Sequence, residues 1–152
     1  MPKLSVWMIR AALIHMGIGF LFGSLILHHK GILIYDWTWR LLNPHVEVVI
    51  FGWVMQLVMG VAFFALPRFP KREKRYGAEK LGWVGLYLLN GGVVLTSFAY
   101  WSGNTAFVII GRSLTSLGLV AYVLLIWPRV KAFAADVILQ QKSSVANSKQ
   151  SN

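Results

Sequence analysis

Four histidines, His15, His28, His29 and His45, are the side chains of this 152-residue chain best suited to chemistry. An imidazole serves as acid, base or metal ligand near neutral pH, and ionisable groups inside apolar segments default to a functional expectation because burying them is costly. Glu47, Gln56, Met59, Asn90 and Arg112 also lie inside or beside apolar stretches. On a regular helix turning about 100° per residue, His45, Gly52, Gln56, Met59 and Phe63 fall near one line. An imidazole with a glycine two turns below suits axial ligation of haem iron, because glycine lets a flat macrocycle approach the backbone. His28 and His29 close the first apolar stretch where His45 opens the second, so antiparallel packing brings the three to similar depth. A plainer arrangement fits the same residues: His28 and His29 sit at an interface and His45 caps its helix. Zinc or copper fits less well, since the sequence has no HxxxH or HExxH pattern and few carboxylates near histidine. With no cysteine, disulfides, thiolate metal sites, iron–sulfur clusters and cysteine catalysis are excluded.

The elements that must position these residues are apolar. The chain is 57% hydrophobic and 13% charged, and its mean hydropathy is +0.60. Four stretches reach the 20 or so residues a bilayer requires: about 7–27, 46–66, 81–101 and 106–127. In lipid every backbone polar group must be bonded internally, so helices are expected, and the alternation of a barrel strand is absent. The predicted fold is an all-α integral membrane four-helix bundle over residues 1–139. Residues 140–152 form a polar tail expected to be disordered, and 131–139 an amphipathic continuation along the membrane surface. The first apolar run is too long for a signal-peptide core and lacks a cleavage pattern, so it is expected to be an uncleaved anchor.

The net charge of +10 is a topology signal rather than a nucleic-acid footprint. Arg68, Lys71, Arg72, Lys74, Arg75 and Lys80 crowd the link between the second and third spans, and Arg129, Lys131, Lys142 and Lys149 follow the fourth. The link between the first two spans has Lys30 and Arg40 offset by Asp36, and 102–105 has no basic residue. By the positive-inside rule both termini face the cytoplasm, as in a multi-pass protein of a bacterial inner membrane. Ser102, Gly103 and Asn104 predict a tight turn between spans three and four. Trp37, Trp39, Trp101 and Trp127 fall where aromatic belts form. Gly19 with Gly23, Gly52 with Gly60, Gly82 with Gly85, Gly91 with Gly92, and Gly111 with Gly118 predict close helix contact.

Three polar residues have simpler expectations. Glu47 lies roughly 200° round the helix from His45 and is expected to reach the interface or pair with Arg40. Arg112 is expected to reach outward or to hold a haem propionate. Gln56 and Asn90 are expected to bond between helices.

The stretch 43–68, NPHVEVVIFGWVMQLVMGVAFFALPR, resembles the low-spin-haem helix of subunit I in the haem–copper oxidase superfamily, nitric oxide reductases and C-type cytochrome oxidases above all. His45, Phe51, Gly60, Phe63 and Pro67 match that helix. The resemblance implies that His45 is an axial ligand of haem b. It covers about 25 residues strongly and the first span loosely. The superfamily's late spans, with the second low-spin ligand and the catalytic metal ligands, have no counterpart here, so the resemblance implies no reduction of oxygen or nitric oxide by this chain alone. The second ligand is then expected from His29 or His28, or from His45 of a second copy; a further haem between His15 and Met59 is a remoter arrangement. The expected haem site comprises His45, His29, His28, Gly52 and Arg112. The expected function is electron transfer, as a b-type cytochrome or haem-bearing accessory subunit of a respiratory or denitrification system. Its partners would be lipid, other membrane subunits or a homo-oligomer, and a quinol or periplasmic carrier. The alternative is a haem-free structural or assembly subunit of a larger complex.

Overall fold

A computed structural model describes residues 1–33, 35–67, 76–130 and 142–143. The basic cluster Arg68 to Arg75, the amphipathic continuation 131–139 and nearly all of the polar tail lie outside the described residues.

The order of elements is α1 (Lys3–Gly31), a 3-10 segment (Asp36–Leu41), α2 (Leu42–Glu47), a π-helical segment (Val48–Met55), α3 (Gln56–Ala65), α4 (Glu79–Ser102), α5 (Thr105–Ile126) and a closing 3-10 turn (Trp127–Arg129). The stretch Asp36–Ala65 is one continuous rod, here called the second span. It and the helices Lys3–Gly31, Glu79–Ser102 and Thr105–Arg129 are each long and apolar enough to cross a membrane. No strand occurs among the described residues. The outside of the bundle is lined with Phe, Ile, Leu, Val and Trp, among them Phe20, Leu27, Val94, Ile109 and Leu124. In water such a surface would aggregate; in lipid it is ordinary solvation.

Each helix packs antiparallel to its neighbour in sequence. α1 lies against the second span along its length, and α4 pairs with α5. α4 also lies against α2 and the π segment, which joins the two hairpins. The shared core is Leu4, Met8, Val48, Met59, Phe63, Leu86, Leu89, Val93, Tyr122 and Leu125.

Local chemistry sets the breaks. α4 ends at Gly103, whose φ of 74° is the left-handed conformation that glycine adopts without a Cβ penalty. Asn104 then opens α5, its side-chain oxygen accepting from the Ala106 N–H at 3.1 Å. The turn expected from Ser102-Gly103-Asn104 is therefore present. Trp37 and Trp101 meet edge to face at this end, their ring centroids 5.7 Å apart. Pro44 has no N–H to give, and it stands in the first turn of α2, where that loss matters least.

The α4–α5 pair is held by glycine. A Cβ on Gly85 would lie 3.0 Å from the Gly118 carbonyl oxygen, and one on Gly111 would lie 3.0 Å from the Gly92 carbonyl oxygen. These four glycines bring backbone against backbone, as small residues do between membrane helices. Gly91 meets nothing within 4 Å and contributes nothing to that contact.

α5 reaches the second span through long polar side chains. Arg112 extends to Glu47 at one end of the bundle. In the middle, the Tyr122 hydroxyl donates to the Met59 carbonyl at 2.5 Å. At the other end, the Arg129 guanidinium donates to the carbonyls of Phe63 at 2.9 Å, Leu66 at 2.8 Å and Pro67 at 3.2 Å. Arg129 is 1% exposed, so it does more than add charge beyond the fourth span.

Candidate functional site

The interface of α1 with the second span is built on two imidazoles set into glycine notches of the opposite helix. A Cβ on Gly23 of α1 would lie 2.9 Å from His45 Cε1, so the His45 ring lies flush on that glycine. In the reverse sense, a Cβ on Gly52 would lie 2.6 Å from Cγ and Cδ2 of His15. Each glycine is needed for the histidine of the other helix. Gly52 thus does not leave space below His45, as the single-helix line from His45 to Phe63 predicted; His15 fills it. The span is π-helical from Val48 to Met55, yet Gly52, Gln56, Met59 and Phe63 are all buried; the notch is filled because the antiparallel neighbour supplies the His15 ring. Such π insertions recur at functional sites.

Hydrogen bonding fixes the protons on three of the rings. His45 Nδ1 lies 2.8 Å from the Gly19 carbonyl oxygen. A carbonyl only accepts, so Nδ1 bears the proton and Nε2 keeps a lone pair, the arrangement common to metal-ligating histidines. His15 Nδ1 donates in the same way to the Ala11 carbonyl at 2.9 Å. His29 differs: the backbone N–H of Tyr35 donates to its Nδ1 at 3.2 Å. A neutral His29 therefore has its proton on Nε2 and its one free lone pair already engaged. The ring is 4% exposed and meets Trp39 edge to face, centroids 6.3 Å apart. His29 fixes the turn after α1, and His28 beside it is exposed.

A groove of about 410 Å³ runs beside His45, lined by Phe20, Gly23, Ser24, Ile26, Leu27 and Leu42. Phe20, Leu27 and Leu42 are among the exposed apolar residues, so the groove opens on the outside of the bundle. It brings His45 together with the glycine-bearing face of α1, while His28, His29, Gly52 and Arg112 do not line it. Among the described residues no group of three or more His, Asp or Glu is placed to hold a metal ion.

Arg112 and Glu47 find each other instead. The guanidinium lies 3.8 Å from the carboxylate, and Glu47 is 2% exposed. Neither a Glu47 at the interface nor a Glu47–Arg40 pair forms. α5 presents Arg112 at the depth of Glu47, so the buried carboxylate meets this guanidinium, whose side chain is 60% exposed. Asn90 bonds the Leu86 carbonyl of its own helix at 2.7 Å rather than a neighbouring helix. Gln56 is fully buried and neither side-chain polar atom has a hydrogen-bond partner, so the interhelical bond expected of it is not made. Two features of this region were not read from the sequence: the reciprocal histidine–glycine notches and the Arg112–Glu47 pair. Both depend on which residues face each other across helices.

Comparison of the chain with protein-family models, with curated proteins and with solved structures gives no match.

Proposed function

We propose that this chain is a b-type cytochrome, or a haem-bearing accessory subunit, of a bacterial inner membrane, with both termini in the cytoplasm. One observation supports this reading above the rest. His45 holds its Nδ1 proton on the Gly19 carbonyl, which leaves Nε2 as a ligand atom beside an apolar groove. His45 is the residue that would hold haem iron, through Nε2, beside the groove lined by Gly23 and Phe20. Haem supplies reversible one-electron transfer when bound. The chain's own residues hold the imidazole in the right tautomer, exclude water with Phe20, Ile26, Leu27 and Leu42, and leave the outer face of the groove open. His29 has its lone pair engaged and neither His28 nor His29 lines the groove, so a second ligand would have to come from a partner subunit or from His45 of a second copy. Ligation by two imidazoles would leave no open position on the iron, which suits electron transfer rather than substrate chemistry.

Replacement of His45 by Ala should abolish haem binding while circular dichroism and elution volume stay unchanged. Gly23→Leu should do the same, because its side chain displaces the ring from the notch. Haem content is read by pyridine haemochrome. Full haem retention in His45→Ala would remove His45 as the ligand and with it this reading; a parent protein that carries no haem would favour a haem-free structural or assembly subunit.

A further inference from the structure

A second cavity lies between α5 and the second span. It measures about 200 Å³ and is lined by Glu47, Phe51, Arg112, Thr115 and Ser116. It shares no lining residue with the groove beside His45, so it stands whether or not haem is bound. Glu47 is almost fully buried, and its Oε1 has no hydrogen-bond partner. The other oxygen, Oε2, reaches Arg112 Nη2 at 3.8 Å, too far for a hydrogen bond. The carboxylate is therefore paired in charge but receives no donor, and buried polar atoms in this condition point to a missing partner. Arg112 is exposed along most of its side chain, and its guanidinium lies 5.9 Å from the Tyr100 ring centroid. Tyr100 precedes Trp101, which meets Trp37 at this end of the bundle. Aromatic residues gather around membrane helices at the depth of the lipid headgroups.

The two fixed charges cancel, so the occupant that fits is neutral overall. It must bring a donor to Glu47 and an acceptor to Arg112, and it must carry them close together, because the two groups are themselves close. An anion would meet the guanidinium but also a buried carboxylate of like charge. A metal cation would find one carboxylate and a competing guanidinium. A zwitterion whose ammonium stands two carbons from a phosphate meets every condition. We propose that this cavity binds the phosphoethanolamine head of an aminophospholipid. The ammonium donates to Glu47 Oε1 and to the Thr115 hydroxyl oxygen, whose own proton goes to the Gly111 carbonyl. The phosphate accepts from Arg112 and from the hydroxyl of Ser116, which is exposed. The acyl chains follow α5. Val120 and Leu124 continue, in steps of four residues, the exposed face begun by Arg112 and Ser116. That apolar track ties the headgroup to a lipid rather than to a soluble zwitterion. Lipid solvates the outside of any span whatever its headgroup; this cavity selects one. A choline head has no N–H to give, and it leaves Oε1 buried and without a donor.

The test is native mass spectrometry of the full chain, released from detergent micelles after titration with dioleoyl lipids that differ only in the head. These are phosphatidylethanolamine, its monomethyl and dimethyl forms, phosphatidylcholine and phosphatidylglycerol. The expected result is saturable binding of one phosphatidylethanolamine per chain, about tenfold tighter than phosphatidylcholine, with affinity falling at each methylation. Glu47→Met should erase that order and still fold, since an apolar side chain of similar volume replaces a buried charge. Ser116→Phe, a change at an exposed position that leaves the core untouched, should block the mouth and abolish the saturable binding. Phosphatidylcholine or phosphatidylglycerol binding as tightly as phosphatidylethanolamine would overturn the proposal. So would an unchanged order in Glu47→Met, full binding in Ser116→Phe, or displacement of the lipid by soluble phosphoethanolamine at equal concentration.

Discussion

Replacing Arg129 by Ala should destabilise the bundle by about 3 kcal/mol, read as a lowered thermal or denaturant midpoint of tryptophan fluorescence in detergent. The magnitude follows from charge-assisted hydrogen bonds of about 1.5–3 kcal/mol each, discounted because water at the membrane edge partly replaces them. The guanidinium donates to the carbonyls of Phe63, Leu66 and Pro67. These sit in and just after the last turn of α3, where helix carbonyls have no partner of their own and the helix dipole favours a cation. The same guanidinium lies 4.8 Å from the Phe63 ring centroid, and Phe63 stacks on Tyr76 at 5.5 Å. Arg129 thus ties the end of α5, the end of α3 and the start of the segment before α4. Lysine is not a substitute, because one ammonium lacks the planar fork that spans several carbonyls. Arg129→Lys is therefore expected to lose most of the same stability. A midpoint unchanged in both variants would show that these bonds contribute nothing.

Gly92→Leu should prevent α4 and α5 from pairing, and the effect should already be large for Gly92→Ala. A Cβ at that position would lie 2.6 Å from both the Gly111 carbonyl oxygen and the Thr115 backbone nitrogen, and against the Thr115 hydroxyl. Backbone atoms do not rotate out of the way as a side chain does, so the helices must move apart. Overpacking of this kind costs about 1–3 kcal/mol for small additions, and leucine adds three more carbons. Gly91→Ala is the matched control: nothing lies within 4 Å of its Cβ position, and alanine is the better helix former by up to about 1 kcal/mol. The two neighbouring substitutions should therefore shift the melting midpoint in opposite directions. Equal shifts would show that close approach at Gly92 is not what holds the hairpin.

The spans were legible in the sequence because their signal is additive. Twenty apolar residues in a row are apolar whatever surrounds them. Gly85, Gly92, Gly111 and Gly118 were legible as contact points, whereas Gly91, expected with them, meets nothing within 4 Å; the 102–104 turn was legible because Gly and Asn have local conformational reasons to be there. The site was legible only in part. His45 stands out as an imidazole opening an apolar helix, but a line down one helix through Gly52 says nothing of the neighbour whose His15 fills the notch. The partners of Glu47 and Arg129 were hidden for a related reason. Both are set by the placement of α5 beside the second span, a long-range fact that charge counting does not contain. Arg129 in particular reads in the sequence as one more topology charge, and only the fold turns it back onto the carbonyls of α3.

The most direct measurement of the central claim is an optical spectrum of the detergent-purified chain, oxidised and then dithionite-reduced, from cells with ample haem. A chain that binds haem through His45 gives a sharp reduced α band and a pyridine haemochrome of haem b. The ratio should be about one haem per chain, or about half that where two copies share one iron. A featureless visible spectrum in both states, from protein that is folded and helical, would contradict it.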